Sequence, residues 1–230
     1  HRPAAAAVTG KPSQLGEIAA GVKLVFGDRT LRILVLLGWL VAFYVVPTGL
    51  AAPYADSLHS SLPIAISTGL IFAAGPFGTA VGAILFGRMV PQESRQRWMG
   101  PLAVAACGLL LVCWLRPGMV ASMIVIAASG ACASYQLAAN AAFVSAVPPE
   151  RRGQAFGLAN GGMQVSQGLW IVLAGAVVAS GAVTPAMAIA ISGGVGAILA
   201  AALAMTARRN RAPLAAPLPS SGPRVTPSNG

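Results

Sequence analysis

Six long apolar segments follow one another along this chain, separated by short stretches that hold most of its charged residues. The clearest are residues 119–146 and 155–180, neither of which contains Asp, Glu, Lys, Arg or His. Both exceed the roughly 20 apolar residues that a helix needs to cross a hydrocarbon core about 30 Å thick. The pattern therefore predicts an all-α membrane protein. We predict six spans, at residues 31–55, 62–86, 98–115, 119–146, 155–180 and 185–207.

A polar loop at residues 147–154 joins the fourth and fifth predicted spans. Pro148 and Pro149 end the preceding helix because proline lacks a backbone N–H and clashes with the turn before it. Glu150, Arg151 and Arg152 cannot enter lipid cheaply, so we expect this loop to lie at a membrane surface.

The ends of the chain differ in composition from the predicted transmembrane domain, residues 31–207. We expect residues 1–14 to be disordered, and residues 15–30 to form an amphipathic helix on the membrane surface, although a soluble linker helix is the alternative. Residues 208–230 contain five prolines and should be a disordered cytoplasmic tail. Because the first residue is His1 rather than Met, we expect a fragment or a half-size protein.

Composition and charge narrow the class of protein to which the chain can belong. Hydrophobic residues make up 56% of the chain and charged residues 9%, which no ordinary soluble domain combines. The net charge of +10 would suggest nucleic acid in a soluble protein, but here the basic residues flank the spans, and we predict no nucleic-acid partner. With six spans, 14 of the 15 Lys and Arg residues fall on one side and Arg116 alone on the other. The positive-inside rule then predicts that both termini are cytoplasmic, in what we expect to be a bacterial plasma membrane.

The chemistry-bearing residues argue against catalysis and cofactors. Cys107, Cys113 and Cys132 lie in apolar segments without zinc or disulfide spacing, and we predict neither a metal nor a cofactor. The histidines, His1 and His59, lie outside the predicted membrane core, so no base is present there to activate a nucleophile. We therefore predict that the protein is not an enzyme.

Polar side chains recur on one face of several spans. Amides in lipid are unfavourable unless they are paired, so these faces should look inward and line a substrate pathway, with the third and sixth spans outside. The alternative is that each polar group only bridges two helices. The candidate pathway residues are Tyr44, Thr48, Ser129, Gln136, Asn140, Asn160, Gln164 and Gln167.

Glycine and proline mark the expected packing and breaks. Gly78 and Gly82, Gly157 and Gly161, and the seven-residue series from Gly161 are predicted to let helices approach closely. Pro47 and Pro53 in the first span, and Pro76 in the second, predict interrupted helices of the kind that line transporter cavities.

The loop at residues 147–158 closely resembles the segment between the tenth and eleventh helices of the major facilitator superfamily. Residues 26–32 are similar to the segment that enters that superfamily's seventh helix. The resemblance covers about residues 15–207 and identifies the chain with the second six-helix half of such a transporter. At residues 87–88 the sequence Gly-Arg lacks the aspartate that is frequent in the family's loop after the eighth helix.

The resemblance implies a secondary transporter that works by alternating access, in which this half rocks against a second six-helix half in the lipid bilayer. The first and fourth spans would line the cavity. The neutral lining favours export of a small amphipathic molecule or metabolite. A non-catalytic scaffold, or a transmembrane subunit of another transport complex, is the alternative. The implied cytoplasmic gate residues are Arg88, Glu150, Arg151 and Arg152.

Overall fold

The computed structural model describes the backbone of residues 14–211, and the side chains of residues 21–207 except residue 93. All elements in this range are helices, and six of the helical stretches are long and apolar enough to span a membrane. The predicted all-α fold with six spans is therefore confirmed. Residues 1–13 and 212–230, which form most of the predicted disordered segments 1–14 and 208–230, lie outside the described residues.

A short helix precedes the six spans, and three of the spans are built from more than one helix. The first span, Arg29–Gly49, comprises α2 to α4 and is continued by α5; the second is α6, and the third is α7 followed by a 3₁₀ helix, Leu109–Leu115. The fourth comprises α8 and α9, and the fifth and sixth are α10 and α11. The helices are α1 Gln14–Gly27, α2 Arg29–Trp39, α3 Val41–Tyr44, α4 Val46–Gly49, α5 Ala51–Ser57, α6 Ile64–Met89, α7 Gln92–Gly108, α8 Met119–Cys132, α9 Tyr135–Ala146, α10 Arg152–Ala179 and α11 Pro185–Arg211.

The first span is segmented, as its prolines predict. Asp28 caps its beginning by accepting hydrogen bonds from the backbone N–H groups of Thr30 (2.7 Å) and Leu31 (3.0 Å). Pro47 is the second residue of α4 and Pro53 the third of α5. Both therefore lie in a first helical turn, where the missing N–H would have no intrahelical partner.

Three expectations about helix continuity are corrected. The second span is not interrupted, because α6 runs through Pro76 without a break. Such prolines are tolerated in spans whose neighbours satisfy the freed backbone groups. The fourth span, expected to be one helix, breaks at residues 133–134 between α8 and α9. The sixth span has its predicted bounds, Pro185–Ala207, but its helix α11 continues to Arg211, into the segment predicted to be disordered.

The tightest packing joins the second span to the fourth. A Cβ atom on Gly78 would collide with the backbone of Ala127, and one on Gly82 with the backbone of Ala131. The predicted close approach at these two glycines is confirmed. On the fifth span the prediction is wrong within the described chain, because a Cβ atom on Gly157 or Gly161 would meet nothing within 4 Å.

The fifth span is also the least covered. None of its most apolar 18-residue window is buried, whereas 33% of the corresponding window is buried in the third span and 44% in the sixth. These values describe burial within this chain alone, so the expectation that the third and sixth spans are the outer ones stays a prediction. The fifth span packs mainly by one edge, where Gly162 meets the Trp39 ring and Ile171 approaches Gly49.

Candidate substrate cavity

The first and fourth spans both break at the same level of the bundle. The first is interrupted at Leu40, between α2 and α3, and the fourth at residues 133–134. The last carbonyl groups of a helix have no intrahelical donor, so a broken span needs donors from elsewhere. They come from the other break: the Tyr135 hydroxyl donates to the Leu37 carbonyl (2.8 Å), and Gln136 Nε2 donates to the Gly38 carbonyl (3.3 Å).

Gln136 extends this network into the candidate pathway. Its Nε2 atom also donates to the hydroxyl oxygen of Tyr44 (2.6 Å), a residue of α3. Tyr135 is completely buried, and Gln136 and Tyr44 are half-buried. The two predicted pathway residues therefore form a pair at the point where both helices bend.

A cavity of about 600 Å³ opens beside this pair, between the first, second and fourth spans. Four predicted residues line it: Tyr44, Thr48, Gln136 and Asn140. Thr79 and Ser134 contribute hydroxyl groups that the sequence patterns did not single out. None of the described lining residues is charged. The other lining residues are Val41, Val45, Gly75, Pro76, Ala80, Ala83, Ile126, Gly130, Ala133 and Leu137.

The lining leaves polar groups available to a ligand. The Asn140 side chain is exposed to the cavity and forms no hydrogen bond with any described residue. Thr79, by contrast, already donates its hydroxyl hydrogen to the Gly75 carbonyl (3.1 Å). Asn140 can donate and accept at once, so it is the most versatile hydrogen-bonding group in the cavity.

The other four predicted pathway residues do not line this cavity. Ser129 is buried and donates its hydroxyl to the Ala106 carbonyl, which joins the fourth span to the third. Asn160 and Gln164 are exposed on α10, and Gln167 Nε2 donates to Gln164 Oε1 (3.1 Å). Ser129 thus has the bridging environment of the alternative interpretation, whereas on the fifth span Asn160 and Gln164 are exposed and Gln167 is half-buried.

The four predicted gate residues lie together at the end of the bundle that carries the charged loops, which we call the basic end. Arg88, Glu150, Arg151 and Arg152 are all exposed, and no ion pair joins any of them to another described residue. Arg152 Nε donates instead to the Val147 carbonyl (3.3 Å) within its own loop.

Sequence patterns missed a further arginine at this end. Arg95 donates to the carbonyls of Val90 and Gly87, both at 3.1 Å, and its guanidinium lies 5.9 Å from the centre of the Phe86 ring. These contacts hold the loop between the second and third spans in place. At residues 87–88 this loop lacks the aspartate that is frequent in the superfamily it resembles. Positive charge near a helix C-terminus, here Met89, is the only sequence signal for this role.

Six spans, three of which border a neutral cavity, with two of those three broken beside it, form a polytopic membrane protein of the carrier type. The family model of the Major Facilitator Superfamily matches residues 31–228. The chain therefore belongs to the major facilitator superfamily, as the resemblance of its loops indicated, and it is an integral multi-pass membrane transporter. Searches of curated proteins and of solved structures each return no match.

Proposed function

We propose that this chain is one half of a secondary active transporter that exports a small amphipathic molecule or metabolite by alternating access. The observation that carries the proposal is the neutral cavity at which Tyr44, Gln136 and Asn140 converge beside two helix breaks. Broken helices at membrane depth are typical of carriers, because their freed backbone groups line the transport pathway.

The lining supports an uncharged or weakly polar substrate. The volume of about 600 Å³ is in the range of small-molecule sites, and hydrocarbon groups such as Val41 and Ile126 dominate its surface. A charged substrate would have no described counter-ion in this cavity, and its desolvation would be costly. Asn140 and Thr48 can instead form hydrogen bonds with a ligand that keeps an apolar body.

Gln136 provides a means by which substrate binding can influence helix bending. Its Nε2 atom is shared between the Tyr44 hydroxyl oxygen and the Gly38 carbonyl. A substrate acceptor that takes one of the two Nε2–H groups displaces either the Tyr44 hydroxyl or the Gly38 carbonyl. The free energy of binding is thereby connected to the bend in the first span, as a ligand-driven population shift requires.

The exposed face of the fifth span supports the second part of the proposal, a partner half. Amide side chains are unfavourable in lipid, and Asn160 and Gln164 are exposed while the half-buried Gln167 bonds to Gln164. A second six-helix half would cover them and complete the substrate pathway. Arg88, Glu150, Arg151 and Arg152 would then latch the two halves at the cytoplasmic side, where both termini would also lie, in a bacterial plasma membrane.

An efflux measurement on everted vesicles tests the export proposal with N-phenyl-1-naphthylamine, a neutral amphipathic fluorophore, as the probe. Vesicles that contain the protein with its partner half should accumulate the probe when energised. Gln136→Leu should reduce the initial rate at least tenfold, because it removes the donor shared by Tyr44 and Gly38. Ser129→Ala, a polar residue outside the cavity, is the matched control and should retain transport. Equal rates for wild type and Gln136→Leu would refute the assigned cavity.

A further inference from the structure

A second pair of cavities lies at the basic end of the bundle, separate from the candidate substrate cavity. One, of about 420 Å³, lies between the first, third and sixth spans, and the other, of about 410 Å³, also reaches the fourth span. They share Leu37, Gln96, Met99 and Ala207, so they adjoin along one recess. We call this recess the basal groove.

The basal groove is apolar on its wall and polar at its mouth. The wall contains Gly100, Pro101 and Ala204, and a Cβ atom on Gly100 would lie 2.8 Å from Ala204 Cβ. The third and sixth spans therefore touch through small groups here, which leaves a slot beside the contact. The polar lining residues, Thr30, Gln96, Arg97 and Ser145, all lie close to the ends of their helices.

Two neighbouring side chains indicate the depth of the mouth in a bilayer. Trp98 is 51% exposed, and exposed tryptophan is typical of the membrane–water interface. Arg97 precedes it, is exposed, and forms no hydrogen bond or ion pair with any described residue. Arg97 thus places a positive charge at the level of lipid headgroups, with an apolar wall towards the membrane interior.

We propose that the basal groove binds an anionic phospholipid, with its phosphate on Arg97 and one acyl chain along Gly100, Pro101 and Ala204. A guanidinium donates two parallel hydrogen bonds to phosphate, and basic pockets between spans recognise anionic headgroups. A soluble anion would satisfy Arg97 but make no contact with the apolar wall. An amphiphile satisfies both parts. The site lies outside the candidate substrate cavity, so the proposal does not depend on what is transported.

Native mass spectrometry of the full chain in detergent, titrated with phosphatidylglycerol or with phosphatidylcholine of the same acyl chains, tests the proposal. Phosphatidylglycerol should bind more tightly. Arg97→Gln should weaken its binding about fivefold, which corresponds to roughly 1 kcal/mol for one basic residue near the surface. Ala207→Phe, which fills the groove at constant charge, should also weaken it. Lys23→Gln is the matched control, because Lys23 is an exposed basic residue at the same end that does not line the groove.

Three outcomes would overturn the proposal. Equal weakening by Arg97→Gln and Lys23→Gln would show general attraction to a basic surface. Full affinity in Ala207→Phe would show that no acyl chain enters the groove. Displacement of the lipid by an equal concentration of glycerol 1-phosphate, which has the phosphate without acyl chains, would identify a soluble anion as the ligand.

Discussion

The second and fifth spans carry the same kind of small-residue pattern, yet the structure uses them differently. On the second span, Gly78 and Gly82 lie against the backbone of the fourth span. On the fifth span, Gly157, Gly161, Gly168 and Gly175 are spaced for one helix face, and a Cβ atom on any of them would meet nothing within 4 Å. The glycine spacing therefore predicts that a helix is able to pack closely. Whether it does so within this chain depends on whether another span lies against that face.

The amide side chains also differ between a span that packs within this chain and the exposed fifth span. Gln136 of the fourth span bonds to Tyr44 and to the Gly38 carbonyl in the first span, whereas Gln164 and Gln167 of the fifth span bond only to each other. Gln164 lies on the same face of α10 as the open glycines, at spacings of three and four residues. A face that combines amides with glycine can pair with another helix at close range. The difference between the two spans thus indicates which contacts this chain completes by itself.

The largest expected effect on stability comes from adding a side chain to the glycine face of the second span, which packs against the fourth span. Gly78→Val places a side chain against the Ala127 backbone, which cannot move aside as a flexible side chain can. We expect the substitution to destabilise the fold by about 3 kcal/mol or more. Thermal unfolding in detergent, followed by intrinsic fluorescence, should show a large fall in Tm or a loss of monodisperse protein.

Gly161→Val on the open face is the matched control for that experiment. It introduces the same side chain at mid-span, but into open space, so Tm should change little. A comparable loss of stability in both variants would contradict the distinction between the packed glycine face of the second span and the open glycine face of the fifth.

The second largest effect is expected from Gln136→Leu. The change leaves the Tyr44 hydroxyl and the Gly38 carbonyl without their shared donor. Interhelical hydrogen bonds of this kind contribute roughly 0.6 to 1.7 kcal/mol in membranes, so we expect a moderate fall in Tm. Gln164→Leu should leave Tm nearly unchanged, because its described side-chain hydrogen bond is to Gln167 on the same helix. Equal effects on Tm in the two variants would remove the distinction between the two amide positions.

The fold was largely predictable from the sequence because hydrophobic length and charged loops set the number of spans. The site was only partly predictable. The seven-residue spacing of Ser122, Ser129 and Gln136 assumes one straight helix, but the break at residues 133–134 separates Gln136 from the two serines. Ser122 bonds to Tyr54 and Ser129 to the Ala106 carbonyl, whereas Gln136 reaches the cavity.

The break in the fourth span carried no proline signal, and tertiary hydrogen bonds connect it to the first span. The buried Tyr135 hydroxyl and the Gln136 amide reach carbonyls of residues 98 positions earlier in the chain. A local pattern cannot contain such a pairing. In the fifth span the spacing of the amides correctly places them on one face, but only the structure shows that the described bundle leaves that face uncovered.

A smaller effect should follow from Tyr135→Phe, which tests whether the paired breaks depend on one hydroxyl. The substitution keeps the buried ring and removes the donor to the Leu37 carbonyl (2.8 Å). We expect a loss of about 1 kcal/mol, since a typical hydrogen bond contributes 0.5–1.5 kcal/mol net. Tyr54→Phe, which removes the buried hydroxyl bonded to Ser122 away from the breaks, is the matched control for stability. Amide exchange should separate the two, with faster exchange near Leu40 in Tyr135→Phe alone. Unchanged exchange there would show that packing, rather than the hydroxyl, holds the first span in its bent form.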